Sequence, residues 1–155
     1  MFKIRCSAIG HIMTDPRTKA AKEAGELSDT AKTHLIDIFV AKKYGRHSDT
    51  INKYVVKGLA VEEDAITLYS ELRRKVFIKN EIELQNEYLR GTPDLFEGDD
   101  IYSATKIIDI KSSFDIYTFM RAKYAKAINK DYYYQLQGYM ALTGAKEADL
   151  VYCLV

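Results

Sequence analysis

The chain contains 155 residues, of which 47% are hydrophobic and 29% are charged, and its formal net charge at pH 7 is +1. This length and composition allow one sizeable hydrophobic core and are typical of a soluble globular domain. The longest apolar stretches are far shorter than the run of about 18 residues that spans a bilayer. The N-terminus lacks the apolar region and cleavage site of a secretory signal. These features argue against a membrane or exported protein, and we expect a cytoplasmic one.

The predicted elements begin with helices. Ser28 and Asp29 are typical of a helix cap, and apolar residues at helical spacing predict a helix over 31–43. A second helix is predicted over 52–75, where apolar residues form a broad face. The N-terminal third of the chain is therefore predicted to be mainly helical.

The pattern changes to extended segments after residue 75. Apolar and β-branched residues predict them at 76–78 and 82–88, and a strand over 91–96 follows. The turn-forming residues at 97–100 separate this strand from another over 106–111, so that the two form a hairpin. The hairpin brings the residues of its two strands side by side.

The last third returns to helices and ends in a strand. Helices are predicted over 114–128 and 131–142, the second ended by Thr143 and Gly144, and a strand is predicted over 149–155. The order α, α, β, β, β, α, α, β predicts a mixed α/β fold in one domain over 1–155.

The cysteines and histidines of the chain give no pattern typical of a metal site. Cys6 and Cys153 lie at opposite ends of the sequence, which argues against a disulfide framework and a cysteine-based metal site. The three histidines, His11, His34 and His47, show neither an HExxH pattern nor close pairing. Any bound metal should therefore be held by oxygen.

Two acidic residues and a lysine stand out on the predicted hairpin. Asp109 and Lys111 are two apart in a strand, so that their side chains project to the same side. Asp94 lies on the preceding strand, which the turn folds back toward Asp109. Two adjacent carboxylates stay ionised cheaply only with a cation between them, and Mg²⁺ or Mn²⁺ suits oxygen ligands. Taken separately, Asp94 is also explained as a turn residue after Pro93, and Asp109 as a polar residue of an edge strand.

A third carboxylate lies on the second predicted helix. Gly58 costs about 1 kcal/mol relative to alanine inside a helix, which suggests a close approach of backbone or substrate there. Glu62 shares a face with Ala65 and Tyr69, the face that should meet the sheet, so we expect it to point inward. A structural ion pair is the alternative for Glu62, and Glu63 on another side of the helix should be solvated.

Four ordered motifs resemble those of one nuclease superfamily. The motifs are Gly58-x-x-x-Glu62, Gly91-Thr92-Pro93-Asp94, Ile107-Ile108-Asp109-Ile110-Lys111-Ser112-Ser113, and Gln135-Leu136-Gln137 followed by Tyr139-Met140. The chain resembles the PD-(D/E)xK nucleases, and within them it is most similar to the phage lambda exonuclease and YqaJ-type recombination nucleases and secondarily to RecB-type nuclease domains. The resemblance covers roughly residues 55 to 155, and Ser7-Ala8-Ile9-Gly10 is similar to a short N-terminal motif of such phage proteins.

The resemblance implies a fold and a role for each site residue. The fold is a restriction-endonuclease-like core, a central mixed β-sheet flanked by helices in the order α-β-β-β-α-β, with a helical part over 1–50 and a catalytic core over 52–155. The implied catalytic residues are Glu62, Asp94, Asp109, Lys111 and Gln135. The implied metal ligands are Asp94, Asp109, the backbone carbonyl of Ile110, and Glu62. The implied cofactor is Mg²⁺, for which Mn²⁺ should substitute, and Asp109 stands where lambda-type enzymes have glutamate.

Residues around this centre are candidates for contact with DNA. The set consists of Ser112, Ser113, Arg121, Lys123 and Gln137, beside the run Tyr132-Tyr133-Tyr134. Bases can stack on tyrosine rings while lysines attract phosphates. For each ring or basic cluster alone, packing against the sheet or a solvated helix face is the alternative.

The leading functional hypothesis is a phage exonuclease that resects double-stranded DNA ends for recombination. Expected partners are DNA ends, a single-strand annealing protein or recombinase, and other copies of the chain, in the cytoplasm of a bacterial host. One alternative is an endonuclease for restriction, repair or DNA processing, since the same site serves both. Another is a DNA-binding or adaptor module without catalysis.

Overall fold

The computed structural model describes residues 2–46 and 60–155. Its N-terminal part contains strand β1 (Ile4–Arg5), a 3-10 turn (Cys6–Ala8), and helices α1 (Ile9–Ile12), α2 (Lys19–Glu23) and α3 (Asp29–Tyr44). The Ser28 side chain accepts a hydrogen bond from the backbone N–H of Ala31, and Gly45 ends α3 in the left-handed conformation with φ 62°. The predicted helix over 31–43 is therefore confirmed.

Helix α4 (Glu62–Arg73) is the described part of the second predicted helix. It ends two residues earlier than predicted, because Arg74 adopts a positive φ of 52° and the Lys75 N–H turns back to the Ser70 carbonyl. The prediction for residues 52–59, which includes Gly58, lies outside the described residues. The segment 76–83 forms no strand; Val76 and Ile78 are 84% and 81% exposed, so they do not join a sheet.

Within residues 2–46 and 60–155, six strands form two mixed, three-stranded sheets. The strands after β1 are β2 (Leu84–Gln85), β3 (Leu89–Gly91), β4 (Leu95–Glu97), β5 (Lys106–Ser112) and β6 (Glu147–Cys153). The first sheet has the order β1-β3-β2 and the second the order β4-β5-β6. The expected mixed α/β fold is confirmed, although the strands divide into two sheets. The single strand predicted over 91–96 is interrupted at Pro93, which has no N–H to donate to a ladder.

Strand β5 lies at the centre of the second sheet. It pairs antiparallel with β4, so the predicted hairpin is confirmed, and parallel with β6. Helices α5 (Ile116–Lys123) and α6 (Lys130–Thr143) connect β5 to β6. Gly144 ends α6 with φ 79°, as predicted.

The hydrophobic core has two parts, one on each face of β5. Ile107 packs with Leu136 and Tyr139 of α6 on one face. Ile108 and Ile110 pack with α4 on the other. Because neighbouring residues of a strand point to opposite faces, Asp109 and Lys111 share the α6 side with Ile107.

The N-terminal strand joins this core through long-range pairing. Ile4 of β1 pairs with Leu89 of β3. The Cys6 side chain is 1% exposed and lies where a Cβ on Gly91 or on Gly138 would come within 2.9 Å of its sulfur. Glycine at these two positions therefore lets α6 and β3 approach the N-terminal segment closely. Among residues 2–46 and 60–155, no helix is both long and apolar enough to cross a membrane.

Candidate active site

The predicted acid and lysine of β5 form an ion pair on the face of the sheet that meets α6. Lys111 Nζ lies 2.7 Å from Asp109 Oδ2, and the side chains are 24% and 1% exposed, respectively. The approach lacks hydrogen-bond geometry, and Asp109 Oδ2 is among the buried side-chain oxygens of the described residues that have no hydrogen-bond donor. Burial raises the pKa of Asp109 and the Lys111 ammonium opposes that rise. Asp109 Oδ2 is therefore held by its ion pair with Lys111.

Asp94 reaches the same place from the residue before β4. Its Oδ2 accepts a hydrogen bond of 2.7 Å from the Ile110 N–H. The backbone pairing of β4 with β5 ends at Leu95 and Ile108. The Asp94 carboxylate therefore accepts from the Ile110 N–H in place of the backbone carbonyl that a longer β4 would provide. Burial and the charge of Asp109 raise the pKa of Asp94 to about 6. Because Ile110 follows Asp109 in β5, the hydrogen bond from the Ile110 N–H brings the Asp94 carboxylate to the part of β5 that carries Asp109.

Asn80 lies in the segment after α4 and fixes the backbone beside Asp94. It is 5% exposed. Its N–H donates to the Asp94 carbonyl at 2.8 Å and its Nδ2 donates to the Pro93 carbonyl at 2.9 Å. These two hydrogen bonds therefore hold the backbone of Pro93 and Asp94 in place. Sequence reasoning missed this role, because a buried asparagine has no pattern that separates it from a turn residue.

Gln135 of α6 connects the lysine and the carboxylate. Its Oε1 accepts a hydrogen bond from Lys111 Nζ at 3.2 Å, and its Nε2 donates to Asp109 Oδ1 at 3.4 Å and to the Tyr139 hydroxyl at 2.8 Å. Lys111 Nζ also lies 5.0 Å from the centre of the Tyr132 ring. The structure thus brings together Asp94, Asp109, Lys111 and Gln135.

Tyr139 is a site residue that the sequence analysis did not assign. It lies one helical turn after Gln135 and is 5% exposed, and burial raises the pKa of its hydroxyl. By accepting from Nε2, the hydroxyl fixes which end of the Gln135 amide faces Lys111. The spacing of four residues on one helix face was the signal that could have identified it.

Glu62 makes a different contact from the one predicted. Its Oε2 accepts a hydrogen bond of 2.8 Å from Lys79 Nζ, so that the structural ion pair considered as an alternative is present. The charge of Glu62 is the smallest of the named causes that raise the pKa of Asp94. Glu63 is exposed, as predicted. A role for Glu62 in the site stays a prediction.

The candidate DNA-contact residues differ in their surroundings. Ser113 is 4% exposed and its N–H donates to the Cys153 carbonyl at 2.7 Å, so it belongs to the sheet interior. Ser112 is half-buried at the end of β5, and Arg121 and Lys123 are exposed in the last turn of α5. Gln137 is exposed on the side of α6 opposite Gln135, and the structure does not bring it to the carboxylate pair.

The donor set fits a hard divalent cation. Mg²⁺ is usually bound through one or two carboxylates, with water and substrate phosphate completing its shell, and Asp94 and Asp109 supply two carboxylates. Within residues 2–46 and 60–155, no group of three or more His, Cys, Asp and Glu side chains has metal-binding geometry. Glu62 is bonded to Lys79 instead. The fit therefore depends on the two aspartates.

Comparison with known proteins gives structural relatives only. No protein-family model and no curated protein sequence matches the chain. The chain is similar to the phage related exonuclease from Haemophilus somnus 129PT, at 34% sequence identity and a TM-score of 0.80, over 99% of this chain and 68% of that one. It is also similar to the alkaline exonuclease LHK-Exo from Laribacter hongkongensis, at 20% identity and a TM-score of 0.73, over 97% of this chain and 68% of that one. The same values hold for LHK-Exo in complex with dAMP, and this second likeness shows a shared fold.

Proposed function

This chain belongs to the family of the phage related exonucleases, and we propose that it is a Mg²⁺-dependent deoxyribonuclease that removes nucleotides from the ends of double-stranded DNA. In a bacterial cytoplasm it would supply single strands to an annealing protein or a recombinase. The proposal rests first on family membership and then on the chemistry of the buried side chains.

One observation carries the chemical part of the proposal. Asp94 Oδ2 accepts a hydrogen bond from the N–H of Ile110, the residue after Asp109, and Lys111 Nζ lies 2.7 Å from Asp109 Oδ2. Burying two carboxylates together is unfavourable unless a cation compensates them. A lysine supplies only one positive charge, so the pair is suited to a divalent ion.

The metal ligands would be the two aspartates and the carbonyl of Ile110. In a strand the N–H and C=O of one residue point to the same side, and the Ile110 N–H points to Asp94. The carbonyl of Ile110 therefore also faces the side where β4 has ended. When bound, the cation would make the attacking water more acidic and neutralise charge on the phosphate.

The protein side chains would perform the remaining steps. Lys111 would donate hydrogen bonds to the phosphate oxygens as negative charge accumulates on them. Gln135 would hold the Lys111 ammonium through Oε1 and would keep Asp109 oriented through Nε2. The Tyr139 hydroxyl would keep the amide of Gln135 in that orientation.

The test compares linear with covalently closed circular duplex DNA, with and without Mg²⁺. We expect the linear duplex to be degraded from its ends, the circle to stay intact, and EDTA to stop the reaction. Asp109→Ala should remove most of the cleavage because it deletes the buried ligand, and circular dichroism should show that the variant folds. Cutting of the circle would indicate an endonuclease, and tight DNA binding without turnover would indicate an adaptor; either result would contradict the proposal.

A further inference from the structure

A basic cavity of about 620 Å³ lies between α3 and one face of the β1-β3-β2 sheet. Its charged lining consists of Lys3, Arg5, Lys42, Arg90 and Glu83, with Gln85 beside them. The carboxylate pair and Lys111 do not line it. We call this space the basic cavity, and it has no role in the mechanism proposed above.

The sheet register explains why the basic residues converge. Arg5 and Arg90 are paired positions of the parallel strands β1 and β3, and Arg90 is also paired with Gln85 of β2. Gly91, the next residue after Arg90, points toward Tyr139 of α6. Arg90 and its paired neighbours therefore point to the other face, toward α3.

The positive charge of the basic cavity is only partly compensated. Arg90 lies 3.6 Å from Glu83, and Lys3 donates a hydrogen bond of 2.7 Å to the neutral amide of Gln85. Within the described parts of the chain, Arg5 and Lys42 have no carboxylate oxygen within 4.0 Å. Like charges at paired positions of neighbouring strands destabilise a sheet. An anion between Arg5 and Arg90 would remove that cost.

The arginine and lysine side chains that line the basic cavity favour phosphate as its ligand. The planar guanidinium groups of arginine bind phosphate through two parallel hydrogen bonds. The lining side chains are largely exposed, with Arg90 at 46% and Glu83 at 52%, and such an open site suits part of a long polyanion. Asp94 lies four residues after Arg90, so their Cα atoms are at most about 14 Å apart. The Arg90 side chain points toward α3 and the Asp109 side chain toward α6, so a DNA strand bound at both places would pass over an edge of the sheets.

We propose that the basic cavity is a second phosphate-binding site, which holds the DNA backbone at a distance from the bond that is cut. This inference rests on the nuclease function proposed above. Arg5, Arg90 and Lys42 would contact the phosphates. Glu83 limits the affinity of the site, because its carboxylate competes with phosphate for Arg90.

The test measures duplex binding by fluorescence anisotropy over a series of KCl concentrations, in EDTA so that cleavage does not interfere. The variants are Arg5→Gln, Lys42→Gln and their double substitution, and Lys32→Gln is the matched control. Lys32 is an exposed lysine of the same helix that does not line the basic cavity. Thermal melting followed by circular dichroism checks that each variant folds.

We expect each cavity substitution to weaken duplex binding roughly tenfold, as for the loss of a charged hydrogen bond. The slope of log K against log[KCl] should decrease by roughly 0.9 for each phosphate that the variant no longer neutralises. The Lys32→Gln control should change neither quantity. Equal affinity and slope in Arg5→Gln, Lys42→Gln and the control would overturn the proposal. Unchanged DNA binding together with abolished binding of a labelled poly-glutamate peptide would also overturn it, in favour of an acidic protein partner.

Cleavage of the same duplex by the unsubstituted chain with Mg²⁺ separates the two proposals. If the chain does not cleave but its DNA binding depends on the basic cavity, the proposed nuclease function fails and the phosphate site stands. If it cleaves and binding does not depend on the cavity, only the phosphate site fails.

Discussion

Asp94→Asn should stabilise the metal-free protein while removing its activity. The pKa of Asp94 is raised from 3.8 to about 6, first by burial and then by the charge of Asp109. Asparagine removes the charge, and its side-chain oxygen can still accept the hydrogen bond from the Ile110 N–H. The substitution therefore relieves an electrostatic cost without deleting the hydrogen bond that joins Asp94 to β5.

The pH dependence gives the sign and the size of the effect. Below pH 3.8 the carboxyl is protonated in both the folded and the unfolded chain and contributes nothing. Between pH 3.8 and about 6 the unfolded chain ionises while the folded chain does not, so the parent loses stability as pH rises. The shift of about two pKa units corresponds to at most about 3 kcal/mol, fully expressed above the folded-state pKa.

Urea unfolding measures this difference. In EDTA near neutral pH, Asp94→Asn should exceed the parent in free energy of unfolding by up to about 3 kcal/mol, and below pH 3.8 the two should coincide. Added Mg²⁺ should stabilise the parent by mass action but should have little effect on the variant. Cleavage of linear DNA by the variant should be largely abolished.

Asp99→Asn is the matched control, because Asp99 is exposed in the turn after β4. It should change neither stability nor cleavage. If Asp94→Asn is no more stable than the parent in EDTA near neutral pH, the ionised Asp94 carboxylate does not carry the cost of burial and of the Asp109 charge described above. If it cleaves DNA at the parental rate, Asp94 is not a metal ligand.

The other predictions address the residues around the carboxylate pair. Lys111→Ala should lower the cleavage rate by about two orders of magnitude or more, as for removal of an oxyanion donor. The control Glu63→Ala, on the exposed side of α4, should cleave like the parent. Equal cleavage rates for the two variants would show that Lys111 has no catalytic role. Tyr139→Phe should reduce kcat with little change in KM, because the Gln135 amide loses the acceptor that orients it, and an unchanged kcat would make Tyr139 purely a packing residue. Gly91→Ala should cost about 1 to 3 kcal/mol in urea unfolding, since the added Cβ would lie 2.7 Å from the Tyr139 ring, and parental stability would show that the ring moves aside freely.

Local patterns explain which parts of the fold could be predicted. The cap at Ser28, the stop at Gly144 and the alternation around Asp109 are each determined by neighbours in sequence, and the structure confirms all three elements. The proximity of Asp94 to Asp109 could also be predicted from the sequence, because a hairpin turn fixes which residues face each other.

Contacts between distant segments could not be predicted in the same way. The division into two sheets depends on β1 pairing with β3, and no turn joins those strands. The partner of Glu62 is Lys79, 17 residues away, beyond the rest of α4 and the irregular segment that follows it. The buried Asn80 owes its role to carbonyl groups that lie 13 and 14 positions later in the chain.

The pairing of Ile4 with Leu89 has a consequence for biosynthesis. At translation rates of about 5 to 20 residues per second, the first strand emerges from the ribosome roughly 4 to 17 seconds before its partner exists. Until then Cys6 and Ile9 have no surface to cover them, since α6 is made later still. A chaperone that holds nascent chains would therefore find a binding segment in residues 4–9, which stay uncovered until β3 and α6 have been made.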